Sequence, residues 1–477
     1  MKSVIIRFSV LFSIAIFLYS CSNKIQGDII ITNVNIIDVE NIEVQHNKTI
    51  VIIDNKITSI SDFSENDILQ AANIIDGSEK YIIPGLWDMH THVFYTYPET
   101  GVPIAKPEYL KNFNKIMVAN GVLGFRDMYG VDDAMHIYVK GIANGEFFPQ
   151  RFIYSNHLLD GNPTVWPMNL SVYTPEEAVR VVDSLANTET DFIKVYSNLT
   201  LESLQAIGKR CQELNIDMVG HIPNAVTPIE AVMAGMKSSE HGYGFVEIMS
   251  PLNDSLRARG YRLGDRKLML ENQSDTLGTE LFELMKEKGH WIVPTMVMMN
   301  GVTKINSPYD IPDEENYKYV YEEDREHWKI YRNNVSEEIY DLRSRWNRRS
   351  EEIVGIMHQY GIGILAGTDF ACDNPFTYPG FSLHEELKNL SGCGLSNGEA
   401  LKTATINPAK FLNATDSLGS VSVNKMADLI ILNKNPLDNI ENTTNISAVI
   451  SNGKYFNRTQ LDTMLKEAEE AIKGMSK

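Results

Sequence analysis

The chain has 477 residues, 43% of them hydrophobic and 22% charged, a composition that suits a packed globular protein and excludes an intrinsically disordered one. A net charge of −19 leaves no cationic surface for a phosphate backbone, which excludes nucleic acid as a partner. The length exceeds one average domain and suits a large domain with a smaller companion.

The first elements in chain order are a leader and a tether. Lys2 and Arg7 precede an almost wholly apolar run from Phe8 to Tyr19, and Leu18-Tyr19-Ser20-Cys21 follows directly. That order is a signal peptide's, over residues 1–20, and the apolar run is too short for a spanning helix of about 20 residues. The last four residues resemble a bacterial lipobox, which implies lipidation of Cys21 and a tether over 21–27. The expectation is an exported protein, lipid-anchored to a bacterial membrane on its periplasmic or outer face. The remaining cysteines, Cys211, Cys372 and Cys393, can close one disulfide at most and contain no Cys-x-x-Cys pair. A thiolate zinc site is excluded, so any metal must be held by histidines and carboxylates.

Short β-rich runs occupy 28–80: Ile29 to Ile31, Val34 to Val39, Ile50 to Ile53 and Ile57 to Ile60, separated by Asn and Asp clusters. A second such region lies at 416–460, with Leu429 to Leu432 and Ile446 to Ile450. Two half-sheets at opposite ends predict one composite β-sandwich domain built by both. Between them, over 81–415, eight short β-type runs alternate with helix-like stretches: Leu86 to His92, Gly121 to Arg126, Arg151 to Leu158, Phe192 to Tyr196, Met218 to Ile222, Ser238 to His241, Trp291 to Met296 and Gly363 to Thr368. Strands alternating with helices predict an α/β fold with parallel strands, and eight units predict a (β/α)8 TIM-type barrel, for which about 250 residues is typical. The excess length falls in a charged, partly helical insertion over 251–349, which reads equally as a lid and as a solvated insertion. Residues 461–477 are an amphipathic C-terminal helix.

The chemistry-bearing residues sit at the predicted strand ends. His90 and His92 are two apart on a strand and so face one side. Eleven histidines in 477 residues give about 0.25 such pairs by chance, so the pair alone is weak. Lys194, His221, His241 and Asp369 strengthen it, because they fall near the C-terminal ends of later strands, where barrel enzymes place their chemistry. Tyr95, Tyr97, His157, Trp166 and Tyr243 follow strand ends and are candidates for a substrate pocket, although aromatic residues there serve packing just as often. Arg126 and Asp127 read as a buried ion pair. Asp88 or Glu240 could orient a ligand histidine, but each adjoins a candidate ligand on its strand and so points the opposite way, which leans toward a structural role.

Taken with Pro84 to His92, Gly121 to Asp127, Val293 to Thr295, Gly367 to Asp369, Gly394 to Phe411, Ala427 to Leu429 and Asn452 to Lys454, the chain resembles the amidohydrolase superfamily, in its imidazolonepropionase-like and Xaa-Pro dipeptidase-like branch. The resemblance implies two divalent metal ions, zinc by expectation: His90, His92 and Asp369 on one, His221 and His241 on the other, and Lys194 bridging them as its carbamate. An alternative keeps Lys194 as an ammonium beside a single metal. It also implies hydrolysis of a C–N bond in a cyclic amide, peptide or N-acyl amino acid by a metal-activated water, with Asp369 as proton shuttle. The loop from Gly161 to Pro167 departs from the Gly/His-rich loop of the dipeptidase-like branch, which puts dipeptides in doubt. The same electrophile would serve a lactonase or organophosphate-ester hydrolase, and a third reading is a non-catalytic binding lipoprotein. The partners expected are a small-molecule substrate and the membrane reached through Cys21; a homo-oligomer is compatible with all three readings.

Overall fold

The computed structural model describes residues 24–94, 106–130, 132–166, 168–260, 264–309, 314–329 and 335–475. The predicted leader, Cys21, Tyr95 and Tyr97 lie outside the described residues. Among the described residues no helix is long and apolar enough to cross a membrane.

All eight predicted central runs contain strand, and the strands lie parallel. Leu86–Thr91, Val122–Asp127 and Arg151–Tyr154 form one sheet. Phe192–Val195, Asp217–Gly220, Met236–Glu240, Trp291–Val293 and Gly363–Ile364 follow one another in a second, which the short strands Leu158–Asp160 and Leu170–Ser171 extend. The two sheets are joined on both sides. A parallel bridge pairs Thr91 with Phe370, and the Met89 and His92 amides donate to the carbonyls of Ala366 and Phe370 at 2.9 and 2.7 Å. Across the other junction Asp191 N–H donates to the Tyr154 carbonyl at 2.9 Å. Leu86–Thr91, Val122–Asp127 and Phe192–Val195 are buried along their whole length, as parallel strands covered by helices on one side and core on the other should be.

The two chain ends meet in one mixed sheet of eight strands. Tyr81–Pro84 pairs parallel to Ile29–Asp38 on one edge and antiparallel to Leu429–Leu432 on the other, and the sheet continues through Ile446–Ser451 and Lys454–Asn457. Side chains alternate across it. Leu429 and Ile431 join an apolar cluster with Ile29, Ile31, Ile50 and Ile82, whereas Ile430 and Leu432 face the main core of the molecule. The predicted C-terminal helix spans Arg458–Met475 and buries Leu461, Met464, Ala468 and Ile472.

The stretch 251–349 is not one insertion. The strand Trp291–Val293 runs through it and divides it into two helical segments. The first carries Asn253–Ala258 and Asp265–Glu271; the second carries Met296–Ile305 and the first half of the long helix Glu337–Tyr360. That long helix starts where the Ser336 hydroxyl accepts the Ile339 amide and stops at Gly361, whose φ of 81° only glycine adopts freely.

Candidate metal centre

Six of the predicted residues converge where the parallel strands end. His90 Nε2 and His92 Nε2 lie 3.2 and 3.1 Å from Asp369 Oδ1, and His241 Nδ1 lies 3.7 Å from Asp369 Oδ2. The His241 ring sits between its neighbours, 4.7 Å from the His90 centroid and 4.8 Å from that of His221. Lys194 Nζ is 3.5 Å from His90 Nε2. His90, His241 and Asp369 each offer a donor atom within 4.8 Å of the others, a buried group that could hold a metal ion. This tightest trio draws on both of the ligand sets implied by the sequence, which places His241 at the centre of the cluster.

The backbone is bent to aim these side chains. His241, Thr295 and Asp369 all have positive φ, at 64°, 47° and 53°. Non-glycine residues hold that conformation only where surrounding structure over-determines it, and such positions gather at functional sites. Gly220, at φ 131°, turns the chain into His221 against the Val195 carbonyl, and a Cβ on Gly367 would collide with the His90 backbone and Val293.

Three of the rings are also held at Nδ1. His90 Nδ1 is 2.8 Å from Glu240 Oε2, His241 Nδ1 is 2.8 Å from the Thr295 hydroxyl, and His221 Nδ1 is 3.0 Å from that of Ser197. Glu240 therefore orients a histidine on a different strand from its own, His90 rather than its neighbour His241. Arg126 supports it from below, donating through Nη2 to both Glu240 oxygens at 2.9 and 3.0 Å and through Nε to the Met89 carbonyl at 2.6 Å. The expected Arg126–Asp127 pair does not form, because adjacent strand residues point to opposite faces. Asp127 instead accepts the Phe94 and Tyr129 amides, and burial pushes its carboxyl up to about 8. Asp88 braces the loop bearing Asp369 by accepting the Thr368 amide and hydroxyl at 3.0 and 2.6 Å.

The electrostatics suit a cation. Burial alone would raise the Asp369 carboxyl, but the charges of His90 and His241 and hydrogen bonds from His90 and His92 hold it well below the usual range. Burial drives His241 down to about 3 and His221 well below its ordinary value. Burial also lowers Lys194 to about 8, against the pull of Asp369 and Glu240. Neutral imidazoles and an ionised carboxylate are the forms in which these groups ligate a metal.

Of the candidate pocket residues, Tyr243 reaches the site directly. The Tyr243 ring lies 5.3 Å from both His221 and His241. Trp166 acts at one remove: its indole N–H donates to the Tyr196 hydroxyl at 2.9 Å, and Tyr196 stacks on His221 at 4.1 Å. His157 is half-buried, its Nδ1 has no hydrogen-bond partner among the described residues, and it lines neither cavity that opens on His221 and His241.

The amidohydrolase family matches residues 81–455. The chain belongs to that family. It is therefore a hydrolase of carbon–nitrogen bonds in a metal-dependent family. Solved structures share the fold. A Xaa-Pro dipeptidase with bound methionine in its active site is 20% identical with a TM-score of 0.65, covering 90% of this chain and 99% of that one. Bottromycin amidohydrolase is 21% identical with a TM-score of 0.69, covering 93% and 90%, and an ochratoxinase from A. niger is 20% identical with a TM-score of 0.64, covering 90% and 95%. A search of curated protein sequences finds no match to the chain.

Proposed function

We propose that this amidohydrolase cleaves the C–N bond of a small amide, a cyclic amide, a peptide or an N-acyl amino acid, with His90, His92, Lys194, His221, His241 and Asp369 holding two divalent metal ions, zinc by preference. The observation that carries the reading is the approach of His90, His92 and His241 to one carboxylate, Asp369, at 3.1–3.7 Å. Lys194 supports the two-ion form. It is almost fully buried and, among the described residues, makes no ion pair, with Asp369 and Glu240 acting on it only from beyond pairing distance. As a carbamate it would be an anionic, two-oxygen bridge.

Metal ions bound there supply Lewis acidity to the substrate carbonyl and to water. The chain supplies the rest. Asp369 turns Oδ1 to His90 and His92 and Oδ2 toward His241; the latter oxygen accepts a proton from the attacking water and returns it to the leaving nitrogen. His241 is held at Nδ1 by Thr295. Tyr243 borders the cavities that open from it. In this reading the two joined parallel sheets are one (β/α)8 barrel, and the mixed sheet beside it is the β-sandwich domain made by both ends. Export and anchoring through Cys21 are proposed from the leader's charge, apolar core and lipobox-like end.

Purified protein assayed on N-acyl amino acids, cyclic amides and dipeptides, with metal content measured in parallel, tests the proposal. Hydrolysis that disappears on chelation and returns with zinc supports it. Protein replete with zinc that cleaves none of these amides counts against it.

A further inference from the structure

Two adjoining cavities open from the metal centre beneath the helical segments on either side of the strand Trp291–Val293. One, of about 700 Å³, reaches His221 and is lined by Arg257 and Arg266; the other, of about 370 Å³, reaches His241 and is lined by Arg266 and Arg343. Tyr243 and Trp346 border both. The three arginines come from three different helices, Asn253–Ala258, Asp265–Glu271 and Glu337–Tyr360.

Among the described residues none of the three makes an ion pair. Arg257 donates to the Asn224 carbonyl at 3.2 Å, and the Arg266 guanidinium lies 5.1 Å from the Trp346 ring centroid. Arg343 feels Arg266 as a like charge. Carboxylates are available nearby but are used elsewhere: Asp265 pairs with Arg259 at 2.6 Å, and Asp275 and Glu352 pair with Arg349. The carboxylate that borders both cavities is Glu247, whose carboxyl burial pushes up against the pull of Arg266 and Arg257.

One carboxylate does not balance three cations, and like charges around a concave site, Arg266 among them exposed to solvent, favour the entry of an anion. Guanidinium forks match carboxylates in shape and charge, and an arginine stacked on an aromatic ring is pre-oriented to receive one. Because the cations span two cavities, a single compact anion leaves at least one of them unmatched. We infer that the amide cleaved here carries two carboxylates on the part lodged under these helices, held by Arg257, Arg266 and Arg343: a peptide or N-acyl amino acid ending in aspartate or glutamate. This rests on the amide-hydrolase reading above and names its substrate class.

The test pairs catalysis with binding. Rates are measured for alanyl-glutamate, alanyl-glutamine, N-acetyl-glutamate and N-acetyl-glutamine, and calorimetry follows binding of free glutamate and glutamine to the metal-loaded enzyme. We expect the glutamate compounds to be favoured at least tenfold in kcat/KM, mostly through KM. Arg266→Ala and Arg343→Ala should each erase most of that preference, Arg266→Lys should fall between, and Arg259→Ala should match the parent. Glutamate should bind more tightly than glutamine, and more weakly as salt is raised. Glutamate binding that is lost in Arg266→Ala, without cleavage of any amide, upholds the dicarboxylate site and sinks the hydrolase assignment. Equal handling of acidic and neutral partners, preference for the neutral ones, or no binding and no turnover of glutamate compounds overturns the inference.

Discussion

His90 is gripped from both sides, with Nε2 toward Asp369 and Nδ1 on Glu240, and both contacts are buried. His90→Ala should therefore lose bound metal as well as turnover, read by elemental analysis beside the assay; full metal occupancy in the variant would remove its role as a ligand. Asp369→Asn should stay folded and fall by orders of magnitude in rate, since the amide cannot accept the proton; a nearly active variant would exclude Asp369 as the base. Glu240→Gln should cost about 10–100-fold in activity or metal affinity by loosening His90. Glu240→Ala should add about 3–5 kcal/mol of instability, because Arg126 is left as an uncompensated buried charge. Thermal melts of the two variants side by side separate orientation from stability. The convergence of His90, His92, Lys194, His221, His241 and Asp369 was legible in the sequence because their residue types recur at strand ends. Their supports were not: Thr295 stood in a recognisable Val-Pro-Thr turn without a role, and the partnership of Glu240 with His90 crosses strands and depends on packing that spacing does not encode.

At the scale of elements, the helix Met296–Ile305 begins immediately after Thr295, the residue that holds His241. Its first amides, of Met296 and Val297, donate to Glu386 at 3.0 and 2.8 Å, so a side chain on Phe381–Gly392 fixes the start of this helix. Glu386→Ala should leave two buried N–H groups unpaired, at about 1–3 kcal/mol each, and should also lower kcat by freeing Thr295. Glu386→Gln, which keeps one acceptor oxygen, should recover part of both; a variant that melts earlier with unchanged kcat would show that the helix start does not position His241. The eight central strands were readable from their β-rich runs. The strand that divides 251–349 was among them, and the sequence left open whether the helices around it form a lid, since covering the cavities is a property of their docking.

Across the whole molecule, two further buried histidines set an acid limit. His290 and His384 are buried, and burial lowers both to about 4. A histidine depressed in the fold binds its proton more readily when unfolded, so stability is fully present above about pH 6.5 and is lost as pH falls toward 4, at roughly 3 kcal/mol for each group. Urea midpoints across that range should fall with acidity, and His384→Gln should flatten the slope; an unchanged slope would exclude His384 as a contributor. The mixed sheet has a different consequence. Tyr81–Pro84 is made early by the ribosome, whereas its partner Leu429–Leu432 emerges only after the entire central domain. Throughout synthesis that strand has a bare edge, open to stray pairing with other nascent chains. Losing a few dozen residues from the C-terminus would thus make the bare edge permanent, turning a distant truncation into an aggregation defect at the N-terminal side.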